Sequence, residues 1–340
     1  MRKLIIFAIA ASVAACSNMT QQKAAEPDNS PTNPTAVFET HVINGGVMGF
    51  LPFDSTEKRY VRANMRRGDN SMKGTGTFAT VTNFFMSHEN TNIERLDRNV
   101  RWTLNNSKKE YTECPVHGCP LSPAKERQAE EKKSSEPKAK TESGCTMKIA
   151  NTSFNVKPTG EKREINGFNS DQYQVAWLVT LQDNAKRKTT STLNIELWTT
   201  PLTAAMRQAL GVEETFDRAY AASASHSRPA SAKKSEVLPS EVSQLMLGYF
   251  SSGLSASDRD AFVRAGKQLE KIKGHPISTH IEWSMEGNAC ASKESAADSG
   301  RGASTGPILS FTIEVKSLKV EPAHDSLFSV PKDYKLVSEH

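Results

Sequence analysis

The alternation along Tyr173, Val175, Trp177, Val179 and Leu181 constrains this chain more than any other feature. A period of two places all five side chains on one side of an extended strand. Leu193, Ile195 and Leu197 repeat the pattern, and Gln182 to Lys188 reads as the hairpin loop between the two runs. Short apolar or β-branched runs recur at Val37 to Ile43, Arg59 to Met65, Thr75 to Phe85, Asn92 to Leu96, Val100 to Leu104 and Glu110 to Cys114. They resume at Cys145 to Val156 and Ile277 to Met285. Polar turns such as Asp97-Arg98-Asn99 and Asn105-Asn106-Ser107 separate them, the pattern of an antiparallel meander. Ile308 to Val320 changes register: Leu309, Phe311, Ile313 and Val315 share one face, Leu318 and Val320 the other. A β-bulge near Ser317 would reconcile the two.

Helical signals cluster between the strands. Thr200-Pro201 reads as an N-cap followed by proline at the first helical position. A helix over Leu202 to Leu210 then ends at Gly211, and Glu213 to Ala222 continues as a second. Ser240 caps Glu241 to Phe250, where Leu245, Leu247 and Phe250 are the apolar residues. Ser257 caps a further helix running to Lys273, with Gly274 as its stop and Phe262, Leu269 and Ile272 as its stripe. The expected class is therefore α+β: a strongly curved antiparallel sheet, an open half-barrel, with several short helices covering one face.

The first sixteen residues carry a different message. Arg2 and Lys3 precede an apolar run from Leu4 to Ala15 that is too short to span a bilayer. The run fits a secretory signal, and Val13-Ala14-Ala15-Cys16 resembles a bacterial lipobox. That resemblance implies cleavage before Cys16 and acylation of its thiol and new amino group. Residues 1–15 are thus the expected signal peptide and 16–36 a tether, rich in Gln, Asp, Asn, Ser and Pro. Ser17, rather than an aspartate, follows the cysteine. By analogy with Gram-negative lipoproteins this points to the outer membrane, on the periplasmic or the exported surface.

The remaining chain, 37–337, is expected to form one domain interrupted by low-complexity inserts at 121–144, 221–239 and 291–306. The first insert holds eleven charged residues and one large apolar one, Leu121, so it cannot build a core. Hydrophobic residues make up 37% of the sequence, enough for one core of ordinary size. The 43 Lys and Arg are scattered among 38 Asp and Glu without a basic stripe interleaved with aromatics, which excludes nucleic acid as a partner. Five cysteines are present, and with Cys16 given to lipid four remain: Cys114, Cys119, Cys145 and Cys290. An even count in an exported chain reads as disulfides. Cys114–Cys119 with Cys145–Cys290 costs least, because a short loop is cheapest to close. Cys114–Cys145, stapling the base of the charged insert, is the alternative.

Four stretches carry a resemblance to an uncharacterised family of secreted bacterial proteins. They are Asp97 to Cys114 (DRNVRWTLNNSKKEYTEC), Gly160 to Tyr173 (GEKREINGFNSDQY), Lys273 to Ile281 (KGHPISTHI) and Asp325 to Tyr334 (DSLFSVPKDY). The family's architecture is similar to that of the periplasmic lipoprotein carriers LolA and LolB, a curved sheet with helices against its inner face. It carries no established catalytic residues.

Chemical motifs are few. No G-x-S-x-G or H-E-x-x-H occurs, so no catalytic residue, resident metal or cofactor is assigned. Cys114-Pro115-Val116-His117-Gly118-Cys119 places two sulfurs and an imidazole within six residues, a thiol or metal alternative to the disulfide. Gly74-Thr75-Gly76-Thr77-Phe78-Ala79 matches a loose G-x-G-x-x-A, but a β-branched run follows it where a dinucleotide site needs a helix. His275 and His280 lie five apart in a strand, on opposite faces. The expected function is a non-enzymatic, membrane-anchored envelope lipoprotein that binds lipid, acyl chains or a lipoprotein partner in a concave apolar face. Tyr173, Val175, Trp177, Leu193 and Ile195 are its candidate walls. The alternatives are a thiol or metal protein using Cys114, His117 and Cys119, and a purely structural lipoprotein.

Overall fold

The computed structural model describes residues 28–47, 49, 51–77, 79–80, 83, 87–119, 145–223, 268–290 and 307–337. The signal peptide, Cys16, most of the tether, the inserts 121–144 and 291–306, and the helices expected at Glu241 to Phe250 and over most of Ser257 to Lys273 lie outside them. So does the insert 221–239 beyond residue 223.

Twelve strands form one sheet. They are β1 (Thr32–Val47), β2 (Phe53–Arg62), β3 (Met65–Gly74), β4 (His88–Arg95), β5 (Val100–Asn105), β6 (Glu110–Cys114), β7 (Met147–Ile165), β8 (Phe168–Asp183), β9 (Lys188–Thr200), β10 (His275–Gly287), β11 (Leu309–His324) and β12 (Lys335–Leu336). Their spatial order is β12-β6-β5-β4-β3-β2-β1-β11-β10-β9-β8-β7. Two meanders, β1 to β6 and β7 to β11, meet where β1 pairs antiparallel with β11. β12 runs parallel to β6 and makes the sheet mixed. β7 and β12 are its two edges, so it does not close.

The expected α+β half-barrel with several short helices over one face is therefore corrected. The molecule is predominantly β, and α1 (Ala204–Ser223) is the one long α-helix among the described residues. Period-two patterning runs through so many segments that strand pairing, not helix docking, buries most of the apolar surface. The two helices expected either side of Gly211 are a single element. Its cap is Thr203, not Thr200, with the Met206 N–H donating to Thr203 Oγ1 at 3.2 Å. Met206, Ala209 and Phe216 are buried on both sides of Gly211, so packing overrides a glycine that costs about 1 kcal/mol in a helix. They meet Ala36, Phe38, Val61 and Leu318 in the first of three core clusters.

Other boundaries move for local reasons. β1 starts at Thr32, inside the expected tether, because its first residues pair with His324 to Val320 of β11. The strand expected over Thr75 to Phe85 does not form: β3 ends at Gly74, and Ala79, Thr80 and Asn83 are helical. Near the end of the helix expected to run to Lys273, Gln268 and Leu269 are helical and Glu270–Lys271 form a turn. The bulge near Ser317 is present. Glu39 pairs with Ser317 and Thr40 with Val315, which leaves Lys316 as the extra residue. Asn166-Gly167, both at positive φ, form the two-residue turn that sets the β7–β8 register at Ile165↔Phe168.

The closing motif near the C-terminus buries Phe328 against Ile93 and Leu104 in another cluster. Arginines hold it there. Arg62 stacks 4.6 Å over the Phe328 ring, Arg67 donates to the Leu327 carbonyl at 3.0 Å, and Arg95 donates to the Phe328 carbonyl at 3.1 Å.

Candidate functional site

The five candidate walls do come together. Val175 pairs with Ile195 and Trp177 with Leu193 across β8 and β9, and Tyr173 pairs with Leu197. The rows continue outward: Val156–Val175–Ile195–Ile281–Phe311 crosses five strands, and Phe154–Trp177–Leu193–Trp283–Leu309 runs beside it. Leu269 and Ile272, just before β10, pack onto this cluster. Val175, Leu193 and Ile195 are only 2%, 6% and 3% exposed, so they serve as core. Tyr173 and Trp177 are half-buried and form the accessible rim with Phe154. Polar groups fix that rim. Trp177 Nε1 donates to Thr152 Oγ1 at 3.3 Å, Trp283 Nε1 to Ser191 Oγ at 2.7 Å, and Gln268 Nε2 to the Phe154 carbonyl at 3.0 Å. The four tryptophans all lie on strands, with Trp198 fully buried and the others half-buried. Helix α1 covers a different region, over β1, β2 and β11.

Both cysteine pairs are disulfides, Cys114–Cys119 with Cα atoms 4.8 Å apart and Cys145–Cys290 with Cα atoms 5.7 Å apart. In this state neither Cys114 nor Cys119 offers a thiolate to a metal. His117 Nε2 lies 3.0 Å from Ser223 Oγ, and its ring meets Tyr220 edge-on at 5.0 Å. It links the β6 end of the sheet to the end of α1. His280 Nδ1 lies 2.8 Å from Thr312 Oγ1. Helical residues do follow the Gly74 loop, against the expectation, yet β3 and β4 are antiparallel neighbours, so the loop does not join the parallel strands of a βαβ unit. The Gly74 and Thr75 N–H groups are already taken by Asn83 Oδ1 at 2.6 Å and the Pro52 carbonyl at 2.9 Å.

One site was not anticipated. Asp183, at the end of β8, is fully buried as a side chain beside Cys145–Cys290. Its carboxylate accepts the Cys290 N–H at 2.9 Å, the Arg187 N–H at 2.8 Å and Arg187 Nε at 2.7 Å. These donors, the Cys290 N–H foremost, hold its pKa below the ordinary 3.8 against the opposing effect of burial. The only signal in the sequence was an aspartate opening the hairpin loop. A separate cavity of about 290 Å³ lies among Ser30, Met65, Arg95, Arg98 and Asp325. Arg95 is already paired through two guanidinium nitrogens with Asp97, and Asp325 with Arg62 at 2.6 Å.

No protein-family model matches the chain, and no curated protein matches it.

Proposed function

We propose that this chain is a lipid-anchored envelope protein without enzymatic activity, and that the apolar rows across β7 to β11 receive an acyl chain along the Phe154, Tyr173 and Trp177 rim. The observation that carries the reading is that rim: aromatic side chains left half-exposed at the margin of a continuous apolar surface. Binding sites for apolar ligands are lined in this way, with a few polar groups fixing orientation. The anchor is the acylated Cys16, which keeps the rim within reach of outer-membrane lipid. Two disulfides agree with an oxidising compartment.

Two experiments test the two halves. Cys16→Ser should leave uncleaved precursor without acyl mass; normal maturation of that variant would remove the anchor. Unacylated residues 28–340 should bind a fluorescent fatty acid, and Trp177→Ala, checked for an unchanged fold by circular dichroism, should weaken binding by about tenfold, the loss of one large buried contact. Absence of binding by the parent protein would leave a structural lipoprotein.

A further inference from the structure

The Cys145–Cys290 disulfide lies against a buried negative charge: Cys145 Sγ is 3.9 Å from Asp183 Oδ2, and the Asp183 side chain is 0% exposed. Thiol–disulfide exchange is an anionic reaction. A thiolate RS⁻ attacks one sulfur, the R–S–S–Cys bond forms, the Cys145–Cys290 bond breaks, and the departing cysteine leaves as a thiolate that then takes a proton from water. Both the approaching and the departing anion must develop close to the Asp183 carboxylate. Like charges in a partly dry site repel by far more than they would in water.

We propose that Asp183 is a guard residue that makes Cys145–Cys290 resistant to exchange and biases whatever exchange occurs toward cationic thiols over anionic ones. Arg187 sets how far the guard acts. Its guanidinium is bound to the same carboxylate at 2.7 Å and is 37% exposed, so it partly neutralises the charge from the solvent side. The bond joins the start of β7 to the chain just beyond β10 and closes a sequence separation of 145 residues. A guard here keeps the longest covalent link in the chain closed while thiol oxidoreductases or small thiols are present.

The test is the rate at which the folded oxidised protein is opened by excess cysteamine and, separately, by mercaptoethanesulfonate, at one pH and ionic strength. Alkylation and mass mapping score each cysteine. Asp183→Asn should speed opening of Cys145–Cys290 at least about threefold, because the attacking and leaving thiolates no longer develop beside a negative charge. It should also shift the cysteamine-to-mercaptoethanesulfonate rate ratio toward the anionic thiol. Arg187→Gln distinguishes charge from packing. It removes a hydrogen bond, which by loosening the loop would speed exchange, but it unmasks the carboxylate, which slows it. A slower Arg187→Gln variant is the expected result. If both variants open faster, or if neither the rate nor the ratio moves, Asp183 is a structural hydrogen-bond acceptor and the guard role is wrong.

Discussion

A β-carbon at Gly287 would overlap the Lys188 carbonyl oxygen and sit 2.6 Å from Thr189 Cα, in a backbone held at φ +132°. Gly287→Ala should therefore lower stability by about 3 kcal/mol, read as a shift in the urea midpoint at constant slope. The glycine is plain in the sequence, but the strand that crowds it is not. Asp28 gives a prediction in pH. The Ser326 hydroxyl first, then Ser30, hold its pKa at about 2, against the ordinary 3.8. A lowered acid pKa contributes stability that is complete above about pH 4 and is lost as pH falls toward 2. Carboxyl NMR should find Asp28 titrating near 2, and Asp28→Asn should remove that part of the acid dependence of melting. Arg62, Arg67 and Arg95 show how much stays illegible at this scale. Each reads as a surface charge, yet all three hold the turn around Leu327 and Phe328, more than two hundred residues away.

Helix α1 shows the same tension one scale up. Thr200-Pro201 and Gly211 are good local start and stop signals, and the helix, Ala204–Ser223, ignores both. The side chains that decide its extent are Met206, Ala209 and Phe216, which have no partners until β1, β2 and β11 are assembled. Phe216→Ala should cost about 3–5 kcal/mol, since Phe216 is 0% exposed, whereas Thr203→Ala should cost about 1 kcal/mol through the cap alone. Equilibrium denaturation of the two variants tests the ranking; equal losses would show that the helix is held by its terminus rather than its face. The β8–β9 hairpin was easier: the polar run Gln182 to Lys188 marks its loop, and β8 ends at Asp183 and β9 begins at Lys188.

For the whole molecule, the two disulfides differ in what they close. Cys114–Cys119 spans 5 residues and Cys145–Cys290 spans 145. In the chain-entropy view the longer loop restricts the unfolded state more, so Cys145→Ser with Cys290→Ser should cost about 4 kcal/mol, and the other double variant clearly less. Thermal melting of each variant checks the order. The molecule is an open sheet, and its long edge strand β7 carries Lys148, Lys157, Pro158 and Lys162 together with two register breaks. Such features blunt edge-to-edge association.

The β character, most strand positions, the bulge near Ser317 and the co-location of Tyr173, Val175, Trp177, Leu193 and Ile195 follow from the sequence alone, but the strand expected over Arg59 to Met65 straddles the Ala63-Asn64 turn between β2 and β3. All of them depend on a period of two and on turn residues, which act within a few positions of the chain. The cysteine pairing also followed from a local argument, the low cost of the short loop. Tertiary structure alone decided that β1 joins β11, that β12 turns back parallel to β6, that one helix replaces two, and that Asp183 lies buried against Cys145–Cys290. Alternation marks which face of a strand is apolar but not which of eleven other strands lies beside it. A buried charge is recognisable only once its donors, here Arg187 and the Cys290 N–H from 107 residues away, have been brought to it.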